Sequence, residues 1–446
     1  MFKTLVNAFK NKDVRKKILI TLALMFIYRL GCWLPIPGIS GVTYQASAVN
    51  NGDILGLLSM ITGGALQNGA FLAIGISPYI NASIIIQLLT VAIPKLEALS
   101  KQGDEGRKKI NKITRYSTLV LAMAQAAGIV VNFARAATED MPTLDNTIFG
   151  ANINMPVWLV GLFVAIILVS GSMFTMWLGE RITELGVGNG ISLLIFVGIL
   201  STAGISIVTV IKAWVTGESE NAPWQLLAFV ILLVLIFAFI VFIDLAERKI
   251  PVHYAKQIKG RKQYGGQTTY IPIKINASGV LPIIFSTAII SFPQLIASMI
   301  STESKFYAWW SRWLGAGTWS YSIVVGVLIF FFSFFYAQVQ FNPEEVARNI
   351  QQYGGNITGL RPGKQTSDYL EKINKRLTLF GAIFLAIIAI VPSIIFRYVP
   401  IFSGVGSALT SAFSSTGMLI VVSVALEFQK QLESQLMMKQ YRGFLK

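Results

Sequence analysis

Residues Ile54–Pro94 read ILGLLSMITGGALQNGAFLAIGISPYINASIIIQLLTVAIP. The apolar part from Ile54 to Leu66 is about 13 residues long, short of the ~20 that a helix needs to cross a hydrocarbon core. It therefore enters a membrane without spanning it, as a half-helix over residues 54–66. Gly63 and Gly64 break the pattern, because residues without a Cβ weaken a helix interior and allow a sharp turn. From Gly69 a second segment is long enough to cross. Backbone at membrane depth that is not continuous helix survives only under protein cover or beside a water-filled cavity. A short half-helix followed by a full one thus argues for a cavity closed from one side.

The rest of the chain agrees with a membrane setting. Apolar residues make up 54% of the 446 and charged residues 13%, against a usual quarter or so for soluble domains, and mean hydropathy is +0.62. Apolar runs predict ten spanning helices near residues 18–35, 70–93, 116–134, 156–178, 191–211, 224–245, 279–301, 320–341, 377–396 and 404–428. The fold class is then an all-α polytopic membrane protein. With the N-terminus placed in the cytoplasm, 31 of the 37 Lys and Arg fall on inside segments and 5 on outside ones, as the positive-inside rule requires. Both termini are then cytoplasmic. Five spans begin inside and end outside, so residues 1–211 and 224–428 form two halves of inverted topology, joined by an external link at 212–223 and followed by a tail at 429–446.

The net charge of +16 fits attraction to anionic lipids, or a docking face for an acidic or nucleic-acid-rich partner. Two basic loops, 246–278 and 342–376, are too long for simple connectors and favour docking. Cys32 has no second cysteine to pair with, and the lone His253 has no second ligand near it in sequence, so neither a disulfide nor a metal site is expected. The basic run before the first span lacks a nearby small-x-small cleavage pattern and reads as an uncleaved span.

Within the spans, polar groups are few. Arg29 can reach carbonyls freed near Pro35 and Pro37. Pro78 is placed inside the second span, where Asn81 and Gln87 add amides that belong on a protein- or water-facing side. Gln125 in the third span needs a helix partner. Ile76 and Ile80 share a helix face, as do Ile191 and Ile195; composition alone reads all four as ordinary core. Gly179, Glu180, Arg181, Gly186, Gly188 and Gly190 suggest a tight inner turn, without the Lys-Ser/Thr pair of a nucleotide loop. The seventh span carries Pro282 in its first turn and Pro293 inside, and bends easily. No Asp or Glu lies at mid-span, as ion-driven carriers usually require, and no nucleophile, paired carboxylates or ligand cluster suggests an enzyme.

Several runs, taken in order, resemble the SecY family, the channel subunit of the bacterial Sec preprotein translocase. They are Pro35-Ile36-Pro37-Gly38, Gly63-Gly64-Ala65-Leu66, Pro78 through Leu89 (PYINASIIIQLL), Gly188-Asn189-Gly190-Ile191-Ser192, Phe341-Asn342-Pro343 and Arg361-Pro362-Gly363-Lys364-Gln365-Thr366. The resemblance implies a clamshell of two five-helix halves around a pore, in the bacterial plasma membrane. It implies a ring of Ile76, Ile80, Ile191, Ile195, Ile284 and Ile420, and a plug that includes Leu58, Ile61, Gly63, Gly64 and Leu66. A lateral gate is implied between the second and seventh spans, with Asn81 facing Phe292 and Gln125 assigned to the same gate. Arg248, Lys249, Lys259, Arg261, Lys262 and Arg361 would dock the motor ATPase SecA or the ribosome. SecE and SecG are the implied companion subunits, secretory and membrane precursors the cargo, and no cofactor is implied.

Two departures stand out. Ser414-Ser415-Thr416-Gly417 replaces the family's usual Gly-Gly-Thr-Ser ahead of Ile420, and Asn81 replaces a smaller hydroxyl residue. The larger amide is expected to strengthen the closed gate. A solute carrier built from inverted repeats is the competing expectation.

Overall fold

The computed structural model describes residues 8–37, 39, 62–66, 68–136, 147–148, 151–152, 156–217, 222–254, 257–259, 262–264, 268–276, 279, 281–299, 304–315, 318–399 and 415–443. The first span is α1, Lys12–Gly31, whose N-terminal amides are capped by the Asn11 side chain accepting from the Asp13 N–H. The second is α2, Ser77–Ala92, followed across a 106° bend by α3, Pro94–Ser100. Next come α4, Asp104–Ala136; the short pair β1, Thr147–Ile148, and β2, Ala151–Asn152; α5, Val157–Leu185; and α6, Gly190–Val215. The second half holds α7, Ala222–Asp244; α8, Leu281–Met299; α9, Lys305–Leu314; α10, Trp319–Gln340; α12, Lys364–Tyr398; and α13, Ser415–Gly443. Between α10 and α12 lies α11, Pro343–Gln352.

Each of the ten expected spans thus holds a helix. Among the described residues α4, α5, α6, α7, α10 and α12 are long and apolar enough by themselves to cross a bilayer, and the bent pair α2–α3 makes a seventh. Several bounds differ from expectation. The second span starts at Ser77 rather than near 70, because residues 68–76 run as turns, with Gly69 and Gly75 at φ of 56° and 59°. Pro78 accordingly sits in the first turn of α2, where its missing N–H costs nothing, and not inside the helix. Gly179, Glu180 and Arg181 are helical within α5, so the inner turn is confined to residues 186–189. The external link is shorter than 212–223, since α6 runs to Val215 and α7 starts at Ala222. The tail continues as helix to Gly443.

The two long loops are not simple loops. They contribute β3, Glu247–Tyr254; β4, Gln257–Lys259; β5, Lys262–Tyr264; β6, Thr268–Lys274; and β7, Gly355–Ile357. β3 is the centre of a three-stranded antiparallel sheet, with Glu247 opposite Lys274 on one side and Val252 opposite Ile357 on the other. Its apolar face, Ile250, Val252, Ile273 and Ile357, buries against Ile350 of α11 and Leu370 of α12. Strands from loops some 80 residues apart in sequence therefore share one small core at the end of α12.

Each half has its own core. In the first, Ile74 with Ala126 and Ile129 of α4 packs on Val160, Val164 and Leu168 of α5. In the second, Ile240 of α7, Ile283 and Ile290 of α8, Ile329 of α10, Leu385 and Ile388 of α12, and Leu419 and Val422 of α13 pack together. The outward faces stay apolar, as on α7, where Leu227, Ile231, Val234, Leu235 and Phe242 are exposed; that surface suits lipid, not water. The halves meet along two seams, α6 against α7 and α13, and α8 against α2 and α4.

Candidate functional site

A third apolar cluster lies between the halves. Ile76 immediately precedes α2 and Ile80 lies one turn into it; Ile191 and Ile195 lie in the first turns of α6; Ile284 is in the first turn of α8 and Ile420 in α13. All six belong to this one cluster, with Ile76, Ile195 and Ile420 buried and Ile80, Ile191 and Ile284 half-buried. Four helices from two halves thus deliver β-branched side chains, stiff at χ1, to one place. Gly179 of α5 backs this group: a Cβ there would lie 3.3 Å from Ile191 Cγ1 and 3.5 Å from Ile76 Cδ1. The α5–α6 corner is held by Thr183, whose hydroxyl donates to the Gly179 carbonyl at 2.9 Å and accepts from the Gly190 N–H at 2.9 Å. The Asn189 side chain caps α6, accepting from the Ile191 and Ser192 amides at 3.1 and 3.5 Å.

The end of the expected plug abuts the same cluster. Residues 62–66 form turns rather than helix, with Gly63 and Gly64 at φ of 69° and 85°, a region L side chains avoid. Thr62, Ala65 and Leu66 are buried, and Ala65 packs among the isoleucine cluster. Arg29 Nη1 donates to the Gly63 carbonyl at 3.0 Å, and Cys32 Sγ lies 3.6 Å from the Thr62 carbonyl. A Cβ on Gly63 would strike the Arg29 guanidinium and sit 3.1 Å from the Gly198 backbone, one turn along α6 from Ile195. Gly64 and Leu66 thus have defined places, while Leu58, Ile61 and the rest of 54–61 lie outside the described residues. Among the described residues Arg29, expected to reach carbonyls near Pro35 and Pro37, donates instead to the Gly63 carbonyl.

At the seam of α2 and α8, Ile84, Phe285 and Phe332 of α10 form a small buried cluster joined by Ile80, Leu88 and Leu281. Phe285 and Phe332 meet edge to face, with centroids 5.9 Å apart. Asn81 is buried on α2, and Gln125 is buried on α4 with no hydrogen-bond partner for its Oε1 among the described residues. Phe292 falls within α8, but its side chain lies outside the described residues.

The six docking candidates spread over the β layer and the start of α12. Arg248 and Lys249 are exposed on β3, Lys249 lying 3.5 Å from Glu247. Lys259 and Lys262 are paired across the β4–β5 hairpin, and Arg261 between them lies outside the described residues. Arg361 is exposed; its N–H donates to Gln365 Oε1 at 3.3 Å and its carbonyl accepts from the buried Thr366 hydroxyl at 3.0 Å. Nearby on α13, beyond the span, burial and the neighbouring Lys274 hold the Lys430 ammonium below its ordinary pKa, against the pull of Asp244 and Glu247. His253 Nδ1 is 3.0 Å from the Thr268 hydroxyl.

Comparison with known proteins settles the family. The SecY family model matches residues 70–429. The chain is 40% identical to the protein translocase subunit SecY of Corynebacterium glutamicum across 99% of both chains, and 40% identical to that of Streptomyces coelicolor across the full length of both. The chain belongs to the SecY family. Among solved structures, one described as a protein-conducting channel covers 94% of this chain, with 92% of its own, at TM-score 0.64 and 18% identity. Canine Sec61 in a ribosome–channel complex gives 0.63 at 17% identity, over 94% of this chain and 92% of its own. The shared fold agrees with a multi-pass membrane protein of the SecY family.

Proposed function

We propose that the six isoleucines form the waist of a protein-conducting channel through which unfolded secretory polypeptide crosses the membrane, and that apolar segments leave sideways between α2 and α8. The observation that carries this is the convergence of Ile76, Ile80, Ile191, Ile195, Ile284 and Ile420 from both halves into a single apolar cluster. A ring of stiff, poorly wetting side chains closes on a passing chain of varying width without offering it a binding site. A solute carrier has no support comparable to this.

Residues 1–211 and 224–428 act as the two halves, opening about the link near 212–223. Residues 54–68 act as the plug on the outer side, with residues 62–66 as its anchored end. Asn81, Gln125 and Phe292 line the lateral gate. The chain contributes a passive path, and its partners supply the work. SecE and SecG are the companion subunits; SecA or the ribosome docks on Arg248, Lys249, Lys259, Arg261, Lys262 and Arg361, and anionic lipids gather around the basic face. The setting is the bacterial plasma membrane with both termini in the cytoplasm, supported by the distribution of Lys and Arg.

The test locks the waist. In a Cys32→Ser background, Ile80→Cys and Ile284→Cys are bridged by a short cleavable bis-maleimide in the reconstituted complex. Precursor uptake into vesicles should stop and return when the bridge is cut. Uptake that continues at full rate with the bridge in place contradicts the proposal.

A further inference from the structure

The ten residues of α9, KFYAWWSRWL, join α8 to α10 at the end that the proposed topology puts outside. Ser304 caps the helix, its hydroxyl accepting from the Phe306 N–H at 3.3 Å. No residue of α9 is buried. Phe306, Trp309 and Trp313 recur at i, i+3 and i+7, which places them on one face, and they are 41%, 52% and 53% exposed. Tyr307, Trp310 and Leu314 are half-buried on the adjoining face, where α9 touches both α8 and α10. Phe306 and Trp310 stand 6.1 Å apart, Trp309 and Trp310 6.4 Å, so these three rings form one continuous surface. Lys305 and Arg312 flank that surface, seven residues and two turns apart on the same side.

Such a face left in water is costly, because apolar area gains by leaving water. Its makeup differs from that of an aliphatic, lipid-core surface such as α7. Tyr and Trp favour the boundary between headgroups and acyl chains, because an apolar ring and a polar N–H are satisfied together there. A helix with a broad aromatic face, a polar opposite face and basic residues at the edge lies in the plane of that boundary. The short links to two membrane-spanning helices put α9 at this depth: only five residues separate Met299 from Lys305 and four separate Leu314 from Trp319.

We propose that α9 is an interfacial anchor, with Phe306, Trp309 and Trp313 seated in the outer leaflet and Lys305 and Arg312 at the level of the lipid phosphates. The anchor fixes the outer end of α8 in depth. This rests on α8 and α10 crossing the membrane and is independent of the isoleucine ring.

The test uses the full complex in phosphatidylcholine–phosphatidylglycerol vesicles whose acyl chains carry bromine either near the headgroup or near the bilayer centre. The emission belonging to Trp309 and Trp313 is the difference between the native chain and the Trp309→Phe/Trp313→Phe variant, which keeps the aromatic face and hence the fold. That difference should be quenched at least twofold more by shallow bromine than by deep bromine, and little by aqueous iodide. Strong iodide quenching without bromine quenching would mean the face lies in water, and quenching by neither would mean a protein covers it. Either result overturns the proposal. A second variant, Lys305→Gln/Arg312→Gln, leaves every tryptophan in place; it should move the remaining bromine quenching toward the deeper position, and an unchanged depth profile would remove the basic pair from the anchor.

Discussion

At the scale of single residues, Arg29 and Gly179 carry more than their positions in the sequence suggest. The Arg29 guanidinium holds the Gly63 carbonyl across 34 residues of chain. A hydrogen bond to a charged donor contributes about 1.5–3 kcal/mol, and each 1.4 kcal/mol is roughly a factor of ten in an equilibrium. Arg29→Ala should therefore raise resting ion flux through reconstituted vesicles about tenfold; flux at the native level would separate Arg29 from sealing. Gly179 presents a different case, because its lack of a side chain lets Ile76 and Ile191 approach α5. Gly179→Ala asks its neighbours to yield only a few tenths of an ångström and should translocate near the native rate. Gly179→Leu overfills the site, at a cost of about 1–3 kcal/mol, and should slow precursor uptake severalfold; equal rates for the two variants would contradict the placement. The sequence showed Arg29 as an intramembrane charge needing a partner and Gly179 as one glycine among several. Neither partner was legible, because both contacts join segments that only the folded chain brings together.

At the scale of elements, the structure depends on how helices begin. The Asn189 side chain caps α6 immediately before Ile191, so the cap sets the register of two ring residues at once. Asn189→Ala should cost about 1 kcal/mol, seen as lower thermal stability of the purified complex, while Asn189→Ser, which retains a capping oxygen, should remain close to native. A loss of the same size in both variants would rule out capping as the cause. Element boundaries were the least legible feature of the chain. Apolar composition located a helix within each expected span, seven of them long and apolar enough to cross when the bent pair is counted, but it could not show that residues 68–76 turn at Gly69 and Gly75 before α2 starts. The β layer was also hidden. β3 pairs with β7 about 100 residues later; the alternation of Ile250 with Val252 and of Ile271 with Ile273 is a strand signal, but the runs are short, each holds a proline at Pro251 or Pro272, and the pairing is long-range. What could be read there was excess loop length, and the sheet explains it: residues from both loops are tied to one core on α12.

For the whole molecule, the arrangement follows from three apolar clusters. Two give each half its own core, and the third lies between them, where α2, α6, α8 and α13 meet. Halves that are separately packed can move against each other only by opening the contacts that join them, the isoleucine cluster together with the apolar seams of α2 with α8 and of α6 with α7. The long motif runs made the family legible from sequence; Ile420 lies in the same apolar cluster as the other five isoleucines, although Ser414–Gly417 departs from the family's usual run. The most direct measurement places a photo-crosslinking side chain at Ile80 and, separately, at Ile195, with a secretory chain stalled partway through the reconstituted complex. Both positions should link to the stalled chain, whereas the same group at Val234, exposed on the outer face of α7, should not. Linkage at Val234 or in the external link with neither isoleucine reacting would contradict a path through the middle cluster.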